Sequence, residues 1–153
     1  MAAFNFRLTS VLRFRERIQE EKQWELRALT ATHQQMEEQI LALEQEALDI
    51  ETAMARQQGQ LFSATELRLQ ADYTGSLERR IRIQRVALTK LNEKIVAKRE
   101  ELVEAMRSVK TLEQLGKRLE QKFRQKENIE QQKLSDQIAQ RKFTNPHKRK
   151  KLP

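Results

Sequence analysis

Gln57-Gln58-Gly59-Gln60-Leu61-Phe62-Ser63-Ala64-Thr65-Glu66 is the stretch that decides the fold, because it interrupts helical patterning that is otherwise nearly continuous from residue 7 to residue 142. Gly59 suits a left-handed helix C-cap, and Ser63-x-x-Glu66 is a capping box, in which a hydroxyl and a carboxylate satisfy the free backbone donors at a new helix start. A stop followed by a start predicts a hairpin. One bent helix passing through Gly59 is the alternative, and it leaves the apolar positions facing water unless the chain dimerises.

The patterning on the two sides of this stretch is heptad, with apolar residues at positions a and d. Before it, a falls on Leu12, Gln19, Leu26, His33, Ile40, Ala47 and Met54, and d on Leu8, Arg15, Lys22, Leu29, Met36, Leu43, Ile50 and Gln57. This seam is ragged ahead of Leu26. After it, a falls on Leu67, Thr74, Ile81, Leu88, Ile95, Leu102, Val109, Gly116 and Phe123, and d on Leu77, Gln84, Leu91, Lys98, Ala105, Leu112, Leu119 and Lys126. The two registers do not join in phase, so the helix must break between them. An all-α fold is expected, a long two-helix antiparallel coiled-coil hairpin over residues 1–143, with a helix over 7–57, a turn over 58–64, a longer helix over 65–142, and a basic flexible tail over 144–153. With the turn near residues 61 and 62, facing residues have numbers totalling about 123. At 1.5 Å per residue the helices run about 75 and about 120 Å, and the second outruns the first.

Composition agrees with long helices. Of 153 residues, 34% are charged and 38% hydrophobic, with 3 glycines and 2 prolines to make turns; that balance argues against a globular core. Disorder shares the composition but lacks sustained hydrophobic periodicity. The absence of cysteine excludes a disulfide framework, a thiolate zinc site and a cysteine nucleophile, and fits a reducing compartment. No run of 18 apolar residues predicts a membrane span and no secretory signal is read at the N-terminus. A cytoplasmic protein is expected.

The net charge of +8 is uneven. Residues 117–153 carry 12 Lys and Arg against four acids, a balance of +8, so residues 1–116 are neutral overall. A basic arm invites an acidic partner, nucleic acid among them. The arm offers only Phe123 and Phe143 as stacking groups and matches no RNP, zinc-finger or basic-zipper pattern, so no specific nucleic acid is expected, while nonspecific polyanion binding stays open. A solubilising end is the plainer reading of the tail, where Asn145-Pro146 would end the helix.

Chemistry is not expected. A two-helix hairpin has little concavity for a catalytic pocket, and the chain contains no P-loop, GxGxxG or HExxH motif. His33 lies at a seam position without a second His or a close carboxylate pair, His147 lies in the tail, and Glu20-Glu21 and Glu37-Glu38 point about 100° apart on a helix. No catalytic, metal or cofactor residue is assigned, and a non-enzymatic protein is expected.

Two segments carry a family resemblance. The opening Phe6-Arg7-Leu8-x-x-Val11-Leu12-x-x-Arg15 precedes an acidic, glutamine-rich helix. Toward the other end, Val109-Lys110-Thr111-Leu112-Glu113-Gln114-Leu115 leads through Lys117-Arg118 into Glu127-Asn128-Ile129-Glu130-Gln131-Gln132-Lys133-Leu134-Ser135-Asp136-Gln137-Ile138-Ala139. Together they resemble the flagellar export protein FliJ family over nearly the whole chain. The resemblance implies a component of the flagellar type III export apparatus, cytoplasmic at the base of the flagellum on the inner face of the inner membrane, peripheral rather than inserted. It implies a coiled coil similar to the central stalk of rotary ATPases. The end carrying both termini would enter the hexameric export ATPase and promote its assembly and activity, and the hairpin's middle would contact the cytosolic domain of the export gate. Export chaperones are further candidate partners.

On that resemblance, the ATPase-binding candidates are Phe4, Phe6, Arg7, Leu8, Leu12 and Arg15 on the first helix, with Arg118, Lys122, Phe123, Lys126 and Arg141 on the second; Phe4 and Phe6 would alternatively only pack on the longer helix. The gate-binding candidates are Gln39, Leu43, Glu46 and Ile50, at g and d positions of the first helix, with Tyr73, Leu77, Arg80 and Gln84 at g and d of the second. Under the total of 123, Ile50 opposes Tyr73, Glu46 opposes Leu77, Leu43 opposes Arg80 and Gln39 opposes Gln84. Taken singly, Leu43, Ile50 and Leu77 each read more readily as ordinary seam residues. The rival functions are a nucleic-acid-binding arm and a generic scaffolding or dimeric coiled coil.

Overall fold

The computed structural model describes residues 4–57, 59 and 63–144. They form two helices, α1 over Thr9–Arg56 (48 residues) and α2 over Ala64–Thr144 (81 residues), and no strand is present among the described residues. The chain is an all-α helical hairpin. Of the tail expected over 144–153, Thr144 closes α2, while 145–153, with the expected helix stop at Asn145-Pro146, lies outside the described residues, as do Gln58, Gln60, Leu61 and Phe62 of the turn.

The local chemistry sets the helix ends. Ser63 is the N-cap of α2: its Oγ accepts from the Thr65 N–H at 3.2 Å, while the Glu66 carboxylate accepts from the Ser63 N–H at 3.2 Å. The Glu66 bond is the return half of a capping box, while the Ser63 hydroxyl takes the N2 donor in place of the N3 donor. Gly59 has φ of 117°, in the positive region that only glycine enters cheaply. At the other end α1 begins at Thr9 rather than residue 7. The Phe6 carbonyl accepts both the Thr9 N–H (3.1 Å) and the Thr9 hydroxyl (2.6 Å), a tight turn that holds residues ahead of Thr9 out of the helix.

Contacts divide the chain into two compact units. The first, Arg17–Ala105, holds both helices around the turn. Its core is the heptad seam: Ile40, Leu77 and Ile95 are buried, while Leu26, Leu29, Met36, Leu43, Ala47, Ile50, Met54, Ile81, Leu88, Leu91 and Leu102 are half-buried. Two helices can shelter a seam residue from one side only, so most stay partly wet and each contributes only part of the roughly 1.5–3 kcal/mol of a fully buried aliphatic side chain. The polar seam positions have their own explanation. Lys22 and Lys98, both at d, form an alternating cluster with Glu25 and Glu101: Lys98 lies 2.7 Å from Glu25 and 2.9 Å from Glu101, and Lys22 lies 2.9 Å from Glu101 and 3.6 Å from Glu25. The cross-helix pairs, 22 with 101 and 25 with 98, each total 123, the register expected from the turn.

Flanking contacts show the antiparallel sense. Tyr73 donates its hydroxyl to the Glu46 carboxylate, a g-to-g contact, and Arg85 pairs with Glu44, an e-to-e contact. The e positions and the g positions therefore line opposite flanks of this unit.

The second unit joins residues up to Glu16 with those from Met106 onward. Val109 is its buried residue, and Leu12, Leu112, Gly116 and Phe123 are half-buried. Leu8 and Arg15, nominal d positions of the ragged part of the seam, are exposed. Among the described residues of α2 the half-buried positions end at Glu127, and Asn128 to Arg141 are all exposed.

Candidate functional site

The segment ahead of α1 brings the expected terminal residues together. Residues 4–6 lie outside the helix, ahead of Thr9. Phe6 lies on Gly116: a Cβ there would sit 3.5–3.6 Å from its ring. Phe4 meets Phe123, with ring centroids 5.7 Å apart and planes tilted by 45°, within the range of favourable aromatic pairs. Gly116 and Phe123 are successive a positions of α2, so the two rings extend the apolar seam beyond the start of α1.

Around these rings opens a cleft of about 680 Å³, lined by Phe4, Asn5, Phe6, Arg7, Leu8, Leu119, Lys122, Phe123 and Lys126. Its walls are apolar and its charged lining residues, Arg7, Lys122 and Lys126, are all cations. Glu120, one turn before Arg124 on α2, is engaged with it at 2.6 Å. An apolar cleft with cationic walls and no lining carboxylate suits a partner element that offers an apolar anchor beside acidic groups.

Seven expected ATPase-binding residues, Phe4, Phe6, Arg7, Leu8, Lys122, Phe123 and Lys126, share this cleft. Leu12, Arg15 and Arg118 are not among its lining residues, with Leu12 half-buried and Arg15 and Arg118 exposed. Arg141 is exposed about 22 Å farther along α2 from Lys126. Asn5 and Leu119 line the cleft without having been singled out in the sequence. The heptad marks Leu119 as a d residue, whereas nothing in the sequence marks Asn5.

The gate-binding candidates occupy the g and d positions of the Arg17–Ala105 unit. Gln39 and Arg80 are exposed, Tyr73 is 47% exposed, and Leu43, Glu46, Ile50 and Gln84 are half-buried. Leu77 is 1% exposed, the most enclosed side chain described, and serves the seam. Tyr73 contacts Glu46 rather than Ile50 through its hydrogen bond. That bond, joined by partial desolvation, raises the phenol above its ordinary value, so Tyr73 stays a neutral donor. Gln84 Oε1 is enclosed and without a hydrogen-bond partner.

Among the described residues no three His, Asp or Glu side chains are grouped to hold a metal, and no helix is long and apolar enough to cross a membrane. No curated protein and no solved structure matches this chain. The model of the flagellar FliJ protein family matches residues 4–148, which includes both the terminal cleft and the paired helices. With nearly the whole sequence covered by that match, the chain belongs to the FliJ family, components of the flagellar protein export apparatus.

Proposed function

We propose that this protein acts in flagellar export as a stalk-like coiled coil that binds the hexameric export ATPase through its terminal end. It promotes assembly and activity of that ATPase and links it to the cytosolic domain of the export gate. The supporting observation is the cleft: seven terminal candidates from two distant parts of the sequence line one apolar, cation-walled surface. The exposed arm beyond Glu127 adds basic residues on α2 for the same partner. The g and d flank, with Tyr73 and Arg80 accessible, is the surface assigned to the gate, and export chaperones are further partners of the same protein. On this reading the protein works in the cytoplasm at the base of the flagellum, against the inner membrane and not within it.

The test is a titration of the protein into the flagellar export ATPase, following hydrolysis rate and hexamer formation. Phe4→Ala with Phe123→Ala should reduce stimulation at least about ten-fold, in the range typical of aromatic interface anchors. A chain ending at Glu127 keeps the cleft and separates its role from that of the exposed arm. Full stimulation by both variants rejects terminal binding. Binding to unrelated RNA that saturates before any stimulation, and weakens steeply with salt, would instead favour a polyanion-binding arm.

A further inference from the structure

The flank that bears Tyr73 is one of two long sides of the Arg17–Ala105 unit. On the opposite, e-position flank two clefts of about 610 and about 380 Å³ lie side by side, and Arg85 lines both. Their floor is the seam itself, through Ile40, Ala47, Ile81 and Leu88. Three aliphatic side chains stand at the rim in solvent: Leu41 is 63% exposed, Leu48 50% and Val86 53%. Leu41 and Leu48 are seven residues apart, at b positions, which the pairing of α1 with α2 does not use. An apolar row repeated at heptad spacing off the seam is what a third helix would bury.

The charges select the kind of helix. Glu37, Glu44 and Glu51 repeat at the same spacing along the α1 wall, about 10 Å apart, and Glu78 stands on the α2 wall. Two cations, Arg82 and Arg85, oppose these four acids. Arg85 is already committed to Glu44, in an exposed ion pair that lies between the two clefts, so the remaining lining is acidic by two charges. Such a pair is weak and yields readily to an occupant. From Glu37 to Glu51 the groove runs about 21 Å, roughly four helical turns.

We infer that this groove binds a basic amphipathic α-helix of a partner protein, with leucine-like residues packed on Leu41 and Leu48 and lysine or arginine residues set against Glu37, Glu51 and Glu78. Because it uses the e flank, this helix and a ligand on the g flank bind the same unit without competing for side chains.

The test uses the full chain and a labelled synthetic helical peptide of about 22 residues, long enough to hold a helix in isolation. It carries one leucine face flanked by lysines and is kept below the concentration at which it self-associates; a second peptide has glutamates in place of the lysines. Fluorescence anisotropy should show the basic peptide binding at least about ten-fold tighter than the acidic one. Leu41→Ser with Leu48→Ser should weaken it by about ten-fold, and both sites are exposed, so circular dichroism should show unchanged helicity. Glu51→Gln with Glu78→Gln should weaken binding and flatten its salt dependence. Glu93→Gln with Glu100→Gln, the same charge change at exposed positions outside the groove, should not. Equal binding of the two peptides, or no loss in the leucine variant, overturns the inference. Self-association of the chain that the leucine variant abolishes overturns it also, and assigns the groove to a second copy.

Discussion

Two glycines illustrate how differently one residue type is used. Gly59 sits at φ of 117°, where a side chain meets its own backbone, although no neighbouring atom lies within 4 Å of the added Cβ. Gly59→Ala should therefore destabilise by about 1–3 kcal/mol through backbone strain alone. Gly116 is helical, and a Cβ there would meet the Phe6 ring at 3.5–3.6 Å, ordinary van der Waals contact. Gly116→Ala should stabilise by roughly 0.5–1 kcal/mol through helix propensity, whereas Gly116→Leu should displace Phe6 and open the terminal cleft. Thermal melts of the three variants check the signs, and a melting point lowered in Gly116→Ala would show that the Phe6 contact tolerates no added methyl.

The elements owe their alignment to polar residues as well as to the seam. Glu101 is held down to about 2, first by its hydrogen bonds to Lys98 and Lys22, and Glu25 is lowered, first by its bond to Lys98. Both carboxylates have an ordinary value of 4.5, and a depressed folded value means that their stabilisation is whole above pH 4.5 and is lost as pH falls toward 2. Lys98 is raised, so its contribution is whole below its ordinary 10.5 and disappears only on the alkaline side of that value. Melting followed by circular dichroism should fall between pH 5 and 2, and Lys98→Gln should flatten that acid limb by removing the hub of the cluster. An acid limb of unchanged steepness in Lys98→Gln would remove the cluster from the stability of the hairpin. At the start of α2, Ser63→Ala should cost about 1 kcal/mol, read as increased fraying by amide exchange near Thr65 and Glu66.

For the whole molecule, the question is which parts the fold needs and which are left for partners. Asn128 to Arg141 are exposed throughout, and a chain ending at Glu127 should melt within about 2 °C of the full protein, since surface residues contribute little to stability. A chain ending at Gly116 loses Phe123, the partner of the Phe4 ring, and should melt lower. Equal melting of the two truncations would mean that the aromatic contact adds nothing. Removing residues 128–153 also takes seven bases and two acids, most of the +8, so any ATPase stimulation that survives in this chain belongs to the cleft and not to net charge.

Long-range order was legible in the sequence where chemistry repeats. The heptad rows marked Ile40, Leu77, Ile95 and Val109, the four buried side chains among the described residues, as a or d residues, and Ser63-x-x-Glu66 marked the start of α2, because periodicity and capping are local in the chain. The turn also set the register, which the Lys22 to Glu101 and Glu25 to Lys98 pairs reproduce. What required tertiary structure was the use of residues whose partners lie far away in sequence. Lys22 and Lys98 occupy d positions, and only the fold supplies the carboxylates of Glu101 and Glu25 that meet them. Phe4 and Phe6 found Phe123 and Gly116 only once the N-terminal segment met α2. Leu41 and Leu48 formed a groove only when α2 supplied the facing wall. The sequence by itself determined two amphipathic helices and the point where they reverse, since those follow from spacing along one chain. The tertiary structure alone decided which exposed side chains share a surface, because that depends on distances between helices that no local pattern encodes.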